Sequence, residues 1–265
     1  MGHLEHPDAP LIVVAMMSEL RHALETVSAS GSERFGPWRC WEAELNGRPL
    51  NFVLSGIGMV NAGAALARML GAASPEYVLN YGCAGAHRED INPGDVVVGS
   101  RYVHHRASTI LPDGTERHAY TPISPEDTSV MVTGFDANPR LLHVARQATE
   151  GWRPDPWHVA AATSEQGSVY FGPVASADSW TQSTRHITRI FDEHETLCED
   201  MEAAALTQIC WMHEIPFLAI KDISNNEFQN RTDHGTLGGP TLEEVEHEVG
   251  RRAFELVRRV IERME

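Results

Sequence analysis

Residues 77–86 have the sequence YVLNYGCAGA, an apolar run that ends in small residues. The first half is typical of a short buried strand, and the small residues after it would let a backbone approach a ligand closely. Tight packing of a strand against a helix explains the same small residues equally well. Five similar runs occur elsewhere in the chain, namely LIVVAM, LNFVLSG, DVVVGSRYV, SVYFGPVA and PFLAIKDIS.

Longer patterns with helical spacing lie between these runs. They cover residues 18–27, 59–72, 138–150, 202–213 and 241–264. Short strands that alternate with helices predict an α/β fold with a central twisted mixed β-sheet flanked by helices. A chain of 265 residues can bury one large core. We therefore expect a single domain over residues 1–265, with residues 1–10 flexible.

The composition excludes several classes of partner. The formal net charge is −16, from 21 Lys and Arg against 37 Asp and Glu, and it would repel a phosphate backbone, so we expect no nucleic-acid partner. The apolar runs are far shorter than the ~20 residues that span a bilayer, so we expect no membrane contact. The start of the chain, MGHLEHPDAP, lacks the basic and apolar parts of an export signal, which favours a cytoplasmic protein.

Cysteine and histidine spacing indicates neither a disulfide framework nor a metal site. The four cysteines are far apart and form no CxxC pair. His104 and His105 are the only adjacent histidines, and neighbouring residues of a strand point to opposite faces. We therefore expect reduced cysteines and no bound metal.

Two polar segments are longer than ordinary connections. Residues 106–137 include LPDGTE, which is typical of a hairpin turn, and we interpret the whole region as a functional insertion. The second segment, NNEFQNRTDHGTLGGP, begins at Asn225 and is rich in glycine and polar residues. Both follow strand ends, where open α/β sheets bind ligands.

Four short motifs are candidates for chemistry, and each has an ordinary structural explanation. VVAMMSEL places Glu19 at a helix start, and CEDMEAAALTQIC places Glu202 at another, where the helix dipole alone favours an acid. SGIGMVNAGAAL carries two glycines that a tight connection would explain. The fourth motif is NYGCAGA, within the opening stretch.

The order and spacing of these motifs, with ASADSW around Trp180, resemble the nucleoside phosphorylase and nucleosidase superfamily. Within it the chain most resembles the hydrolytic methylthioadenosine/S-adenosylhomocysteine nucleosidases. The resemblance runs from about Leu11 to Ile223 and is weak over 106–165. It implies cleavage of the N-glycosidic bond of a purine nucleoside to free base and sugar, with no cofactor.

The resemblance also assigns roles around the sugar. Glu202 matches the glutamate that accepts hydrogen bonds from both ribose hydroxyls, and Met201 would pack beneath the sugar. Glu19 matches the glutamate that activates water in the hydrolytic branch. A carboxylate there can deprotonate water and face the developing positive charge of the sugar. The floor of the site would be formed by Cys83, Ala84 and Gly85.

Around the base the resemblance is less complete. Trp180 matches the aromatic residue that stacks on the base, and Thr181 would meet the base edge through its backbone. Relatives that cleave adenine nucleosides end the corresponding strand in Ser-Asp, and the aspartate protonates N7, whereas this chain has Ser224 and Asn225. An amide cannot act as an acid, although it can hydrogen-bond. Asp222 or a water molecule could supply the proton if the strand bends.

Several functional alternatives stay open. Futalosine hydrolases and other relatives acting on 6-oxopurines resemble this chain in the Ser-Asn ending, so both the base and the 5′ substituent are undecided. Phosphorylases of the superfamily hold phosphate with arginines, and one such position is Asn80 here, which favours hydrolysis, although Arg21 or Arg88 could reach an anion. A third alternative is a nucleoside-binding protein that has lost catalysis at Asn225.

The resemblance further implies a homodimer or larger homo-oligomer in which residues 106–122 cross an interface.

Overall fold

All six apolar runs form strands. A computed structural model describes residues 2–123, 130–159, 166–229 and 245–264. The strands are β1 (Leu11–Val14), β2 (Ser28–Phe35), β3 (Trp38–Leu45), β4 (Arg48–Leu54), β5 (Val78–Ala86), β6 (Val96–His104), β7 (Ser108–Ile110), β8 (Glu116–His118), β9 (Phe135–Asp136), β10 (Val169–Ser176), β11 (Cys198–Asp200) and β12 (Phe217–Asn225).

The main sheet is mixed, as the sequence predicts. Its order is β11-β10-β6-β12-β5-β1-β4-β3-β2, and β9 pairs with β6. β1, β4, β5 and β12 pair in parallel, whereas β11 pairs antiparallel with β5 as well as parallel with β10. This additional pairing joins β5, β12, β6, β10 and β11 into a closed circuit. Separately, β7 and β8 form the hairpin that LPDGTE predicts, with Gly114 at φ +83° in its turn.

Helices cover both faces of this sheet. They are α1 (Met17–Thr26), α2 (Met59–Leu70), α3 (Pro139–Ala148), α4 (Thr184–His194), α5 (Ala203–Met212) and α6 (Arg251–Ile261). α6 packs against α1 and α3, whereas α2 packs against α5. On β12 the side chain of Asp222 contacts Arg252 of α6, and the adjacent Lys221 contacts Asp200 beside α5. Because adjacent strand residues point to opposite faces, the two helix groups lie on opposite sides.

The C-terminal helix is shorter than the predicted helix over 241–264. Residues 241–244 lie outside the described residues, and α6 begins only at Arg251. Gly250, at φ +77°, adopts a left-handed conformation that breaks the helical path. The apolar face of α6 docks as expected, because Phe254 packs on Tyr81 with ring centroids 5.5 Å apart.

The ends of the chain and several elements add to what the sequence predicts. Residues 4–10 contact the body, since Leu4 is buried and the Glu5 amide donates to Glu42, and the flexibility of residues 1–10 stays a prediction. The β2 strand was not predicted because its sequence, SASGSERF, is exposed except at Phe35 and has no apolar alternation. β3, β9, β11 and α4 were not predicted either. Within the described residues, no helix has the length and apolar character needed to cross a bilayer.

Candidate active site

A cavity of about 260 Å³ opens where β1, β5 and β12 end and α5 begins. It lies at the carboxyl ends of parallel strands, where α/β sheets bind ligands. Its lining residues come from within segments 15–19, 83–87, 179–181, 199–202, 224–227 and 245–249, together with Ile57 and Ile187. The sequence-predicted residues that line it are Glu19, Cys83, Ala84, Gly85, Trp180, Thr181, Met201, Glu202, Ser224 and Asn225.

Glu19 lies in the first turn of α1 with its carboxylate fixed by backbone amides. One oxygen accepts from the Cys83 N–H at 2.7 Å and the other from the Met16 N–H at 3.1 Å. The side chain is 2% exposed, and its burial raises the pKa of Glu19 above the ordinary glutamate value. Gly82 lies so close that a Cβ on it would stand 2.6 Å from Glu19 Oε1.

Glu202 lies at the start of α5 and contacts the glycine-rich connection before α2. Its Oε1 accepts from the Gly58 N–H at 2.9 Å. Gly58 is at φ +99°, and a Cβ there would lie 2.7 Å from Asp178 Oδ1, so the turn requires glycine. Burial, and then the charge of Asp200, raise the pKa of Glu202. The SGIGMVNA motif thus positions a carboxylate through one backbone amide.

A buried ion pair, Lys221 with Asp200, lies close enough to Glu202 to influence its charge. Lys221 Nζ lies 2.6 Å from Asp200 Oδ2, and the same oxygen accepts from the Ala203 N–H at 3.0 Å. Burial by itself would lower the pKa of Lys221, but the carboxylates of Asp200 and Glu202 raise it on balance. No local pattern indicates this pair, because its members lie on different strands.

At the other end of the cavity, Asn225 is held between two neighbours. Its Oδ1 accepts from the Ser224 hydroxyl at 3.0 Å, and its Nδ2 donates to Glu227 Oε1 at 3.1 Å. The amide bends over the cavity floor, since a Cβ on Gly85 would lie 3.0 Å from Nδ2. Glu227 also lines the cavity and was not predicted as a site residue.

Thr181 contacts a buried acid that the sequence analysis did not identify. Its N–H donates to Glu199 Oε1 at 3.2 Å, and its hydroxyl donates to Oε2 at 3.1 Å. His105 Nε2 lies 3.2 Å from the same carboxylate and His87 Nε2 lies 3.8 Å away. Burial alone would raise the pKa of Glu199, but these imidazoles and Thr181 lower it to about 2. No local pattern indicated this cluster, because its members are distant in sequence.

Asp222 does not line the cavity described here, which corrects its assignment as an alternative proton donor. It is fully buried on the opposite face of β12 from Lys221, and its Oδ2 accepts from the Arg252 N–H at 3.2 Å. Burial raises the pKa of Asp222 to about 7. The strand does not bend enough to turn this carboxyl group towards the site.

Other predicted features also have definite positions. Trp180 lines the cavity and is 57% exposed. All four cysteines are free, and burial raises the pKa of the Cys83 thiol well above its ordinary value, so it stays protonated. Arg88 pairs with Asp90 at 2.6 Å, and no arginine occurs among the described residues that line the cavity.

Potential metal ligands meet at one place in the described part of the chain, away from the cavity. His118 Nε2 lies 2.9 Å from Glu193 Oε2, and His194 completes the group. This contact joins the β7–β8 hairpin to the end of α4. His104 and His105 do not converge, since His104 packs against Tyr120 and His105 faces Glu199. The absence of a metal stays a prediction.

Residues 11–262 match the family model of the phosphorylase superfamily, and the chain belongs to that superfamily. It is 30% identical over 215 residues to the 5′-methylthioadenosine/S-adenosylhomocysteine nucleosidase of Maridesulfovibrio salexigens, covering 81% of this chain and 84% of that one. The resemblance deduced from the motifs is therefore confirmed.

Solved structures show the same fold. The nucleosidase of that name from Neisseria meningitidis, in complex with methylthio-immucillin-A, has a TM-score of 0.71 at 24% identity, over 96% of this chain and 98% of that one. The native futalosine hydrolase of Helicobacter pylori has a TM-score of 0.70 at 16% identity, over 97% and 98%. The predicted α/β architecture is thus confirmed.

Proposed function

We propose that the protein hydrolyses the N-glycosidic bond of a purine nucleoside to free base and sugar. The observation that carries this proposal is the pair of buried glutamates, Glu19 and Glu202, which line one cavity and are each held by backbone N–H groups. Glu202 has one oxygen bound to Gly58, which leaves the other for the ribose hydroxyls. The M. salexigens relative carries the name of an enzyme of this class.

The chemistry follows from the raised pKa of Glu19. A carboxylate made more basic by burial removes a proton from water more readily, and its charge stabilises an oxocarbenium-like sugar. The water oxygen forms a bond to the anomeric carbon while the bond from that carbon to the base nitrogen breaks. The electron pair of the broken bond leaves with the base. The departing base must take up a proton, which we infer comes from solvent water, since Asn225 can donate only a hydrogen bond to it.

The cavity favours hydrolysis over phosphorolysis. Binding of phosphate normally uses arginine, and no described lining residue is one. The test is to incubate the protein with a panel of nucleosides, with and without phosphate, and to identify the products. Free sugar at an unchanged rate supports hydrolysis, whereas sugar 1-phosphate that requires phosphate supports a phosphorylase. Tight binding of nucleosides without any turnover would support a binding protein.

We extend the proposal to the base, which we expect to be a 6-oxopurine rather than adenine. Asn225 cannot protonate N7, but the Nδ2 hydrogen that does not bind Glu227 can be shared between N7 and O6. An asparagine can also pair with adenine through N6 and N7, so the amide alone leaves adenine open. We expect inosine-type nucleosides to be cleaved faster than methylthioadenosine, and Asn225→Asp to shift the ratio of kcat/KM towards adenine nucleosides. Faster cleavage of methylthioadenosine by the unaltered protein would contradict this preference.

The proposed setting is the cytoplasm. Four free cysteines, three of them buried, suit a reducing compartment. The proposed assembly is a homodimer or larger homo-oligomer in which residues 106–122 approach the site of a neighbouring subunit.

A further inference from the structure

Glu199 is a buried carboxylate on the cavity wall that the hydrolysis outlined above does not use. It lies on β11, where it is opposite Gly85 of β5 in the register. Asn225 of β12 is opposite the same glycine from the other side. All three residues line the cavity. A flat ring lying over Gly85 would therefore meet an amide along one edge and a carboxylate along another.

The surroundings of Glu199 keep it an acceptor of hydrogen bonds. Thr181 donates both its N–H and its hydroxyl to the two carboxylate oxygens, at 3.2 and 3.1 Å. The imidazoles of His105 and His87, whose Nε2 atoms lie 3.2 and 3.8 Å from the carboxylate, lower the pKa of Glu199. An ionised carboxylate has about four lone-pair positions and no proton to donate. Glu199 can thus receive a further donor from the cavity, and the Thr181 N–H is already engaged.

We infer that Glu199 selects the base by accepting a hydrogen bond from purine N1–H, so that 6-oxopurines bind and adenine is disfavoured. Along its edge a 6-oxopurine presents acceptors at N7 and O6 and then a donor at N1. Asn225 Nδ2 matches the acceptors and Glu199 matches the donor. Guanine adds a second donor, its 2-amino group, beside N1–H. Adenine instead turns the lone pair of its N1 towards a carboxylate.

The size of the effect follows from the charge of Glu199. A hydrogen bond to a charged group changes affinity by roughly 10- to 150-fold. A site built to receive a donor also rejects an analogue that lacks it, because the buried polar group stays unpaired. This inference rests on the proposed function only in taking a purine as the ligand.

The first test varies the ligand and leaves the protein unaltered. Dissociation constants of hypoxanthine, 1-methylhypoxanthine and adenine are measured by titration calorimetry. We expect hypoxanthine to bind roughly 10- to 150-fold more tightly than either of the others, since 1-methylhypoxanthine keeps O6 and loses only the N1 proton. Equal or tighter binding of adenine, or of 1-methylhypoxanthine, would overturn the inference, as would no measurable binding of hypoxanthine.

The second test alters the carboxylate. Glu199→Gln removes the charge and offers an amide donor to adenine N1, so the preference for hypoxanthine over adenine should fall at least ~10-fold. The matched control is Glu150→Gln, the same change at an exposed position, which should keep the preference. An unchanged preference in Glu199→Gln overturns the inference. If that variant does not fold, the ligand series on the unaltered protein decides.

These measurements separate the inference from the proposed function. Binding of free bases needs no hydrolysis. A protein that binds hypoxanthine through N1–H but releases no base from any nucleoside would refute hydrolysis and support the role of Glu199. A protein that releases base while binding adenine more tightly than hypoxanthine would support hydrolysis and refute that role.

Discussion

The buried carboxylates of the cavity differ in what their neighbours do to their pKa. Burial raises the pKa of Glu19 and Glu202, whose contacts are backbone N–H groups. Glu199 is also buried, but imidazoles and a hydroxyl lower its pKa. Identical side chains can therefore serve as a base, a sugar ligand and a permanently ionised acceptor.

Glu202→Gln should reduce kcat/KM on the order of 100-fold or more. The amide has one oxygen, which can accept either from the Gly58 N–H or from the ribose hydroxyls. Its NH₂ group would then face the other of these two donors, and that hydrogen bond would be lost. Steady-state kinetics would measure the loss, and thermal unfolding should show that the fold is kept. Glu150→Gln, at an exposed position, should retain full activity. Unchanged kinetics in Glu202→Gln would remove the ribose role.

Glu19→Gln should lower kcat by about 100- to 10,000-fold with little change in substrate affinity, because a general base acts only in the chemical step. Collapse of affinity with normal turnover of bound substrate would instead make Glu19 a binding residue. Single-turnover kinetics combined with binding measurements distinguish the two results.

The pH dependence gives an independent check on Glu19. Water activation needs the ionised form, and burial raises the pKa of Glu19. Activity should therefore rise with pH through a pKa above the ordinary glutamate value, and fall as the carboxylate gains a proton below it. The residual activity of Glu19→Gln should lack that ionisation in its acidic limb. An acidic limb identical in the two proteins would assign it to other groups.

At the scale of elements, the site depends on how closely the strands approach the helix starts. The ends of β5 and β12 meet the first turns of α1 and α5, so glycine and a buried ion pair fix the spacing. Both features can be altered without substituting the cavity carboxylates themselves.

Gly82→Ala should reduce activity strongly and stability only slightly. The new Cβ would lie 2.6 Å from Glu19 Oε1, the tip of a side chain that can move aside. The catalytic carboxylate would then lose its position, while the packing of β5 would change little. The control is Gly71→Ala, where the nearest atom is 3.4 Å away and the conformation is helical. Full activity in Gly82→Ala would show that the position of Glu19 tolerates displacement.

Lys221→Met should lower the free energy of unfolding by about 3–5 kcal/mol, because it leaves Asp200 charged, buried and without its cation. Activity should fall too, since Asp200 holds the start of α5 beside Glu202. Arg251→Met is the control, as it breaks an exposed pair with Asp155 and should cost at most ~1 kcal/mol. Urea unfolding measures both variants, and equal losses would contradict the importance of the buried pair.

At the scale of the assembly, three large apolar side chains are exposed, two of them in the cavity lining and one close to it in sequence. Ile57 and Trp180 line the cavity and are 50% and 57% exposed, and Val60 in the first turn of α2 is 78% exposed. Exposed apolar groups next to a site suit contact with another chain. The β7–β8 hairpin lies within residues 106–122, which the sequence predicts to cross an interface.

We therefore expect a mass of at least a dimer at micromolar concentration. Val60→Asp should shift the protein towards the monomer, because a charge would be buried in the contact. Light scattering during size-exclusion chromatography measures the mass, and activity should fall with dissociation if a neighbour completes the site. A monomeric unaltered protein with full activity would rule this out.

Sequence patterns predicted the strands and helices with strong periodicity, the hairpin turn, and ten of the residues that line the cavity. Apolar spacing and glycine positions are local signals, and the motif order carried the family resemblance. The sequence could not reveal β2, whose exposed residues lack alternation, or the interruption at Gly250. The folded structure is needed to show that Asp222 faces α6, that Lys221 pairs with Asp200, and that Glu199 contacts Thr181 and two histidines. Those contacts join distant parts of the chain, so no local pattern encodes them.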